Sequence, residues 1–336
     1  MSHYFPRVNI SSDSMKFRTE IEVRKWTKPL DYSHQILCLG SCFARNIAEL
    51  LEYNKFRVTT SPTGALFNPA SIASTMRLMS EGYTPKDEDI VELDGSYLSY
   101  KFHSDISADS PESLSAVATD ALERGRRAMH YADTTIITLG TAWIYRLNAT
   151  GEVVANCHKQ PQRLFSRELL TVTECEALIE EMLNLTESRI VLTLSPVRHV
   201  GEGLEDNSLS KAILRVAIAN ICRRYPDRTM YFPSFEMLVD DLRDYRFYGD
   251  DLVHPSRQAI EYIAEHFFEA ALSPRAKEQM QQIRDIVAAV NHRPHNPRSQ
   301  RYQEFCRRQL AAMERLSEID FSQERAIMER MLQINL

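Results

Sequence analysis

Side chains capable of nucleophilic chemistry lie at two points of the chain. Ser41 and Cys42 follow the apolar run "QILCLG" (35–40), and Asp251 stands three residues before His254 in "YGDDLVHPS". This spacing lets the carboxylate orient one ring nitrogen of the imidazole while the other faces a nucleophile. The pattern predicts the base half of a nucleophile–histidine–acid triad, with a hydroxyl or a thiol as the attacking group.

The elements that must position these groups alternate between strands and helices up to about residue 270. Apolar, β-branched runs at 35–40, 134–140 and 189–195 are typical of parallel strands buried on both faces. Amphipathic segments lie between them, and 89–102 is predicted to form a hairpin that turns at its Asp-Gly pair. This order predicts an α/β fold with a parallel sheet and right-handed crossovers.

The carboxyl ends of parallel strands form the edge at which such sheets bind ligands. Two further strands are expected to end there, near residues 140 and 195. The residues after these strands that are predicted to bind substrate are Gly140, Trp143, Arg198 and His199. A salt bridge with Asp206 or Asp244 is an equally good interpretation of Arg198 and His199.

Other polar residues also have two interpretations. His158 and Lys159, in "NCHKQP", are candidates for binding an acyl or sugar group, or for a hydrogen-bonded turn fixed by Pro161. Lys211, one turn after an expected helix N-terminus, is predicted to be an ordinary solvated lysine. The string "DLRDYRFYGD" (241–250) is predicted to brace the segment that carries the Asp-x-x-His pair, because its acidic residues balance its arginines.

Composition narrows the class of protein. The 336 residues are 43% hydrophobic and 26% charged with a net charge of −6, as in a globular protein without a basic field for nucleic acid or anionic membrane. No apolar run approaches the ~20 residues of a membrane span, and the N-terminus lacks the apolar core of a secretory signal, so the cytoplasm is expected. The six cysteines show no metal or disulfide spacing, and no metal or organic cofactor is expected.

The last 60 residues or so differ from the rest. Charged amphipathic helices are predicted at 274–292, 297–318 and 321–333, separated by the proline-containing string "HRPHNP". Their apolar stripes require a surface on the sheet domain or on a second subunit, so an oligomer is a possible outcome. The predicted organisation is an N-terminal segment (1–29), a sheet domain (30–272) and a C-terminal helical extension (273–336).

The string at residues 40–44, "GSCFA", resembles the one that gives the GSCFA family its name. Further strings similar to that family are "SPTGALFNPASI", "TLGTAW", "NCHKQP", "SPVRH", "NSLSKAILR" and "FPSFEMLVDDLRDYRFYGDDLVHPS". The resemblance covers nearly the whole sheet domain and implies kinship with the SGNH/GDSL hydrolases. Their flavodoxin-like, three-layer α/β/α fold carries Gly-Asp-Ser after the first strand and Asp-x-x-His near the end.

This resemblance bears on the choice of nucleophile. Without a gap, Ser41 falls at the aspartate and Cys42 at the nucleophilic serine of those enzymes. Ser41 would then cap the following helix, and the dipole and an imidazolium would lower the pKa of the Cys42 thiol. The alternative is a Ser41 nucleophile with Cys42 as a small packing residue, since free cysteines are often buried.

The oxyanion hole departs from the hydrolase pattern. The backbone N–H groups of Cys42 and Gly64 match two donors of those enzymes. The third is an asparagine in Gly-x-Asn-Asp, but Ala142 stands at its position. Asn156 or the Thr141 hydroxyl could replace it.

The expected function is an acyl-ester hydrolase or an O-acyltransferase, acting on a small-molecule ester or an acylated carbohydrate. Cys42 or Ser41 would attack, His254 would move the proton and Asp251 would orient His254. The alternative is a binding or scaffold protein on a degenerate hydrolase fold, which the missing asparagine favours and the retained Asp251–His254 pair opposes.

Overall fold

The structure is a computed structural model that describes residues 18–292 and 294–333. Its strands are β1 (Gln35–Gly40), β2 (Arg57–Thr60), β3 (Val91–Leu93), β4 (Ser96–Leu98), β5 (Ser107–Ala108), β6 (Thr134–Leu139), β7 (Trp143–Leu147), β8 (Val153–Val154), β9 (Phe165–Leu169), β10 (Arg189–Leu194) and β11 (Thr229–Phe232).

Most of the helices connect these strands, and the last ones follow them. They are α1 (Cys42–Tyr53), α2 (Pro69–Glu81), α3 (Pro111–Tyr131), α4 (Val172–Asn184), α5 (Leu204–Arg224), α6 (Ser234–Glu236), α7 (Arg257–Ala271), α8 (Pro274–Asn291), α9 (Gln300–Arg315) and α10 (Ser322–Gln333). Helix α6 continues directly into a π-helix over Met237–Leu242.

A five-stranded sheet with the order β11-β10-β6-β1-β2 forms the centre of the fold. All of its neighbouring strands are parallel, as predicted. Side chains alternate between its two faces, as strand geometry requires. Ile36 and Cys38 of β1 face α1, α7 and α8, whereas Leu37 and Leu39 face α2 to α5. Helices therefore cover both faces, and the predicted α/β class is confirmed.

Short antiparallel strands flank this sheet. The predicted hairpin is confirmed: β3 and β4 pair across Asp94 and Gly95, whose φ angles of +50° and +78° suit a tight hairpin turn. The sheet β8-β7-β9 was not foreseen, because its strands are only partly buried and lack a clear apolar alternation. Its strand β7 follows β6 after a short connection, so this small sheet lies beside the carboxyl edge of the large sheet.

The C-terminal helices pack on the α1 and α7 face. Ile283 and Ile286 of α8 belong to the same buried cluster as α1 and α7. The Lys55 ammonium pairs with Glu324 of α10 at 2.6 Å, and the Arg284 Nε donates to the Asn54 side chain at 2.7 Å. The predicted amphipathic helices thus form, and their apolar stripes are buried against the sheet domain.

The segment before β1 lies beside the end of α7. The Trp26 and Leu30 N–H groups donate to the carbonyls of Ala270 and Ala271 at 2.9 and 2.7 Å. Residues 1–17 of the predicted N-terminal segment lie outside the described residues. Within the described part of the chain, no helix has the length and apolar character to cross a membrane.

Candidate active site

The turn from β1 into α1 brings Ser41 and Cys42 to the carboxyl edge of the sheet. Gly40 has φ +121°, and a Cβ there would lie 2.2 Å from the Thr138 carbonyl oxygen of β6. Only glycine fits this approach. The Ser41 N–H donates to the same oxygen at 3.1 Å, which ties the turn to the neighbouring strand.

Ser41 and Cys42 differ in accessibility. Ser41 is 1% exposed, and its hydroxyl is buried without a hydrogen-bond partner. The expectation that its side chain caps α1 is wrong: Ser41 occupies the N-cap position, but its side chain makes no capping hydrogen bond. Cys42, the first residue of α1, is partly exposed. A substrate can therefore reach the thiol more readily than the hydroxyl.

The groups around Cys42 shift the pKa of its thiol in opposite directions. Burial raises its pKa, while the N–H groups of Cys42 and Phe43 and the charges of Arg45 and Lys211 act to lower it. Burial has the larger effect, so the expected net lowering of the pKa is wrong. The thiol is therefore protonated near neutral pH. Sulfur can attack only if a base removes the thiol proton or a nearby cation lowers the thiol pKa further.

Asp251 and His254 form the predicted pair. The Nδ1 of His254 lies 2.6 Å from an Asp251 carboxylate oxygen, and the other oxygen accepts the N–H groups of Val253 and His254 at 2.9 and 3.0 Å. The side-chain bond to His254, with these backbone donors, lowers the pKa of Asp251 to about 2. The carboxylate is thus ionised and fixed, and Nε2 is left to exchange protons.

The hydrogen bonds of the described residues include none between the Cys42 thiol and His254. The two groups are connected through their surroundings instead. The charges of Lys211 and His254 both lower the pKa of His199, and the charge of Lys211 also reaches Cys42. These four side chains therefore share one electrostatic neighbourhood.

The loop that carries His254 is braced as predicted. The Gly249 N–H donates to the His254 carbonyl at 2.8 Å, and the Arg198 N–H donates to the Val253 carbonyl at 3.1 Å. The Arg198 guanidinium also lies over the Tyr248 ring, 4.0 Å from its centre. Arg198 therefore anchors this loop to the chain after β10.

The salt-bridge alternative for Arg198 and His199 is wrong. Asp206 pairs with Arg167 at 2.9 Å, and Asp244 lies 3.9 Å from the guanidinium of Arg246. The two carboxylates are thus engaged by other arginines.

His199 lies at the carboxyl edge with its Nε2 buried and without a partner. This nitrogen is 3.0 Å from the place where a Cβ on Gly140 would stand, and the His199 N–H donates to the Asn207 side chain at 2.9 Å. Burial, with the charges of Lys211 and His254, lowers the pKa of His199 to about 4. The ring is therefore neutral at pH 7 and can donate or accept a single hydrogen bond at Nε2.

Lys211 is not solvated, contrary to the prediction. It is 2% exposed, and its ammonium donates to the Ser195 carbonyl at 2.6 Å. Burial lowers its pKa to about 7, whereas the charge of Cys42 acts to raise it. The sequence holds a signal for this placement. The buried positions of α5 are 207, 210, 211, 214, 217, 218 and 221, so polar residues continue the stripe that apolar ones occupy further along.

The predicted oxyanion donors make hydrogen bonds within the protein. The Gly64 N–H donates to the Ser61 carbonyl at 2.8 Å. The Thr141 hydroxyl contacts the Ser210 hydroxyl at 3.0 Å and accepts the Trp143 N–H at 3.1 Å. The side-chain Oδ1 of Asn156 accepts the backbone N–H of His158 at 2.8 Å. A role in oxyanion binding remains a prediction for all three.

His158 and Lys159 lie in a tight turn, with φ angles of +49° and +56°. The His158 ring is buried and contacts the Ser104 hydroxyl at 3.1 Å and the Ser99 carbonyl at 2.9 Å. This arrangement favours the turn interpretation for His158, because both ring nitrogens are engaged.

A pocket of about 340 Å³ opens between the β7–β9 sheet and the chain before α2. Four predicted site residues line it: Thr141, Trp143, Asn156 and His199. The remaining lining residues are uncharged, and Phe67, Tyr145 and Phe165 are aromatic. The Trp143 Nε1 is buried without a partner, and the guanidinium of Arg167 covers the ring at 3.5 Å. The pocket therefore suits an uncharged ligand that accepts a hydrogen bond.

The described side chains were compared with the grouping that a metal site requires. Among residues 18–292 and 294–333, no three His, Cys, Asp or Glu side chains are grouped so that they could hold a metal ion. All six cysteines are free.

A five-stranded parallel sheet flanked by helices defines an α/β protein, and Cys42 and the hydrogen-bonded Asp251–His254 pair lie beyond the ends of its strands. Residues 35–267 match the GSCFA family, so the chain belongs to that family. Residues 283–334 match the C-terminal domain of GSCFA domain proteins. No curated protein matches the chain.

Proposed function

We propose that the protein is an acyl-ester hydrolase or O-acyltransferase in which Cys42 is the nucleophile. The observation that carries this proposal is the 2.6 Å hydrogen bond between Asp251 and His254. Such a bond fixes the orientation of the imidazole, as a general base requires. The partly exposed thiol at the start of α1 is more accessible to a substrate than the buried Ser41 hydroxyl.

The reaction takes place in two halves. The Cys42 sulfur attacks the acyl carbonyl while His254 Nε2 takes the thiol proton. The tetrahedral intermediate expels the alcohol, which receives that proton, and a thioester remains on Cys42. Water or a second alcohol then attacks the thioester, giving hydrolysis or transfer.

Two donors suit the developing oxyanion. The Cys42 N–H is the first of α1, where backbone N–H groups lack intrahelical partners. His199 Nε2 is the second, because it is buried, unpartnered and on a neutral ring. It would supply the hydrogen bond that Ala142 cannot. The uncharged, aromatic pocket beside His199 suits the sugar ring or acyl group of an acylated carbohydrate.

A non-catalytic binding protein is the second candidate. It is favoured by two of the predicted oxyanion donors, because the Gly64 N–H and the Thr141 hydroxyl are already hydrogen-bonded within the protein. In that case the pocket would bind its ligand without turnover.

Turnover of p-nitrophenyl acetate by His254→Ala and Asp251→Asn separates the two candidates. We expect His254→Ala to lose about 10²–10⁴-fold in kcat/KM, because the general base is removed. His130→Ala is the matched control, since His130 is exposed at the end of α3. Circular dichroism checks that each variant is folded. Equal turnover by wild type and His254→Ala would reject the triad. If neither the wild type nor any variant turns over the ester, the result would favour the binding protein.

A further inference from the structure

We propose that the pocket between the β7–β9 sheet and the chain before α2 binds one neutral sugar ring and rejects acidic sugars. The inference rests on the proposed function only in naming that ring as the alcohol part of the ester that Cys42 attacks. It decides which part of the ester occupies the pocket, and it names the charge that the ring must have.

Strand geometry builds an aromatic wall on one side of the pocket. Trp143 and Tyr145 stand two residues apart on β7, so their side chains point to the same face of the small sheet. Phe165 of β9 pairs with Leu147 in the antiparallel register and shares that face. All three rings line the pocket, and the Trp143 Nε1 has no acceptor among the described residues. The wall therefore offers apolar area to the C–H groups of a sugar ring and a donor to one of its oxygens.

Amide side chains supply most of the polar lining. In both asparagines of the lining, the side-chain Oδ1 accepts a backbone N–H at 2.8 Å, which fixes the side chain and leaves its NH₂ group to donate elsewhere. An amide both donates and accepts, as a hydroxyl does, so several amides together match a ring that carries several hydroxyl groups. The four amide residues are Asn68, Asn156, Gln160 and Gln162.

The pocket holds no countercharge for an ionic ligand. Among the described residues, no lysine, arginine, aspartate or glutamate lines it. The Arg167 guanidinium stacks on the Trp143 ring, but it pairs with Asp206 at 2.9 Å and is not part of the lining. A carboxylate or phosphate on the ligand would lose water without gaining a partner, which is costly. The volume of about 340 Å³ is at the small end of ligand sites, as a single neutral ring requires.

A flat aromatic ligand, such as a nucleobase, fits the rings less well. Such a ligand stacks face to face on aromatic side chains. Phe67 and His199 meet edge to face at 79°, and the guanidinium of Arg167 already covers Trp143 at 3.5 Å. The lining thus favours a puckered ring with polar groups around its rim.

The loop after β2 connects this pocket to the turn that carries Cys42. The Phe67 carbonyl accepts the N–H of Gly140 at 2.7 Å. The preceding residue, Leu66, donates its N–H to the Gly40 carbonyl at 2.8 Å. These bonds fix one wall of the pocket to the ends of β6 and β1. A ring in the pocket and an acyl group at Cys42 would therefore lie on the same edge of the sheet.

Saturation-transfer nuclear magnetic resonance with the full chain tests the choice of ligand. Methyl β-glucoside, β-galactoside and β-xyloside are compared with methyl β-glucuronide and adenosine, each up to about 50 mM, because one small ring binds weakly. We expect at least one neutral glycoside to bind more tightly than adenosine and about tenfold or more tighter than the glucuronide. Binding of no neutral glycoside, or equal or tighter binding of the glucuronide or of adenosine, would overturn the inference.

Tryptophan fluorescence locates the bound ring. The chain has two tryptophans, and Trp26 lies in the buried cluster with α7, edge-on to Phe267. The glycoside that binds should change the emission of wild type and of Trp26→Phe, but not that of Trp143→Phe. A change that persists in Trp143→Phe and vanishes in Trp26→Phe would place the ligand elsewhere and overturn the inference.

A second variant decides the matter if Trp143→Phe fails to fold. Gln160 is partly exposed and Gln162 is exposed, so changing both to alanine should leave the fold intact. We expect the double variant to bind the glycoside at least about 2–10-fold more weakly, as the loss of one hydrogen bond requires. Gln282→Ala, exposed on α8, is the matched control and should bind as wild type does. Equal affinities of wild type and the double variant would overturn the inference.

These binding measurements are independent of ester chemistry. Binding of a neutral glycoside beside Trp143 without any ester turnover would keep the sugar site and reject the proposed reaction. Turnover that depends on His254, without binding of any neutral glycoside, would do the opposite.

Discussion

Individual side chains at the carboxyl edge of the sheet belong to two groups. Asp251 and His254 form a short, oriented bond near the surface, whereas Lys211 is buried and His199 is partly buried with its Nε2 enclosed. Burial of ionisable groups without counter-ions lowers stability and is concentrated at functional sites. The second group therefore supports the proposed site at this edge independently of the first.

Lys211 should make the stability of the protein depend on pH. The unfolded chain keeps the lysine proton up to about pH 10, while the folded protein loses it near pH 7. The unfolded state thus binds more protons above pH 7, so the free energy of unfolding must rise with pH. We expect it to rise by about 1.5 kcal/mol more in wild type than in Lys211→Met between pH 7 and 8.5.

Urea unfolding of both proteins at the two pH values measures this difference. The range stays below pH 9, because buried thiols such as Cys38, with a raised pKa, then destabilise the folded state. Parallel pH profiles for wild type and Lys211→Met would contradict the assigned burial of a neutral amine.

Helix α5 connects the loops at the carboxyl edge of the large sheet. Its buried face is polar over its first turns, where it meets the loops after β6 and β10, and apolar where it packs on the sheet. The helical spacing of this stripe includes the position of Lys211, although a lysine is ordinarily expected at the surface. Which face of α5 meets which loop depends on tertiary packing. Likewise, the spacing of Asp251 and His254 predicts the hydrogen bond between them. The distance from His254 to Cys42 depends instead on how two loops that are far apart in sequence pack together.

Ser210→Ala should destabilise the packing of α5 against the loop after β6. The Ser210 hydroxyl accepts the N–H of Ala142 at 2.7 Å and contacts the Thr141 hydroxyl. Its removal leaves a buried N–H unsatisfied, which costs about 1–3 kcal/mol of unfolding free energy. Ser208→Ala, on the exposed face of the same helix, is the matched control and should change stability by less than about 0.5 kcal/mol. Equal effects of the two changes in urea unfolding would show that Ser210 makes no such contribution.

The complete molecule combines a sheet domain with a helical extension through one buried cluster. Helices α1, α7 and α8 contribute to this cluster together with the inward side chains of β1. Hydrophobic patterning predicts β1, β6 and β10 of the large sheet and the helices α8 to α10, with ends that differ by a few residues. It did not predict the β7–β9 sheet, because residues such as Tyr145 and Arg146 are partly exposed and β9 pairs with β7 across a longer connection.

Ile283→Ala tests whether the extension is part of one cooperative unit. Ile283 is fully buried in the shared cluster, so the change should lower the free energy of unfolding by about 2–5 kcal/mol. Gln282→Ala, an exposed neighbour, should change it by less than about 0.5 kcal/mol. We expect one urea transition for all three proteins, followed by circular dichroism and by tryptophan fluorescence. A separate early transition of helix signal alone would mean that the extension unfolds independently of the sheet domain.

Localisation of a trapped acyl group tests the central claim most directly. Protein treated with p-nitrophenyl acetate is quenched in acid during turnover, digested and examined by mass spectrometry. The thioester mechanism predicts one acetyl group on the peptide that contains Cys42, and neutral hydroxylamine should release this group as it releases other thioesters. The group should persist in Ser41→Ala and be absent from Cys42→Ala. An acetyl group that disappears in Ser41→Ala and remains in Cys42→Ala, or turnover without any acetyl group on this peptide, would contradict it.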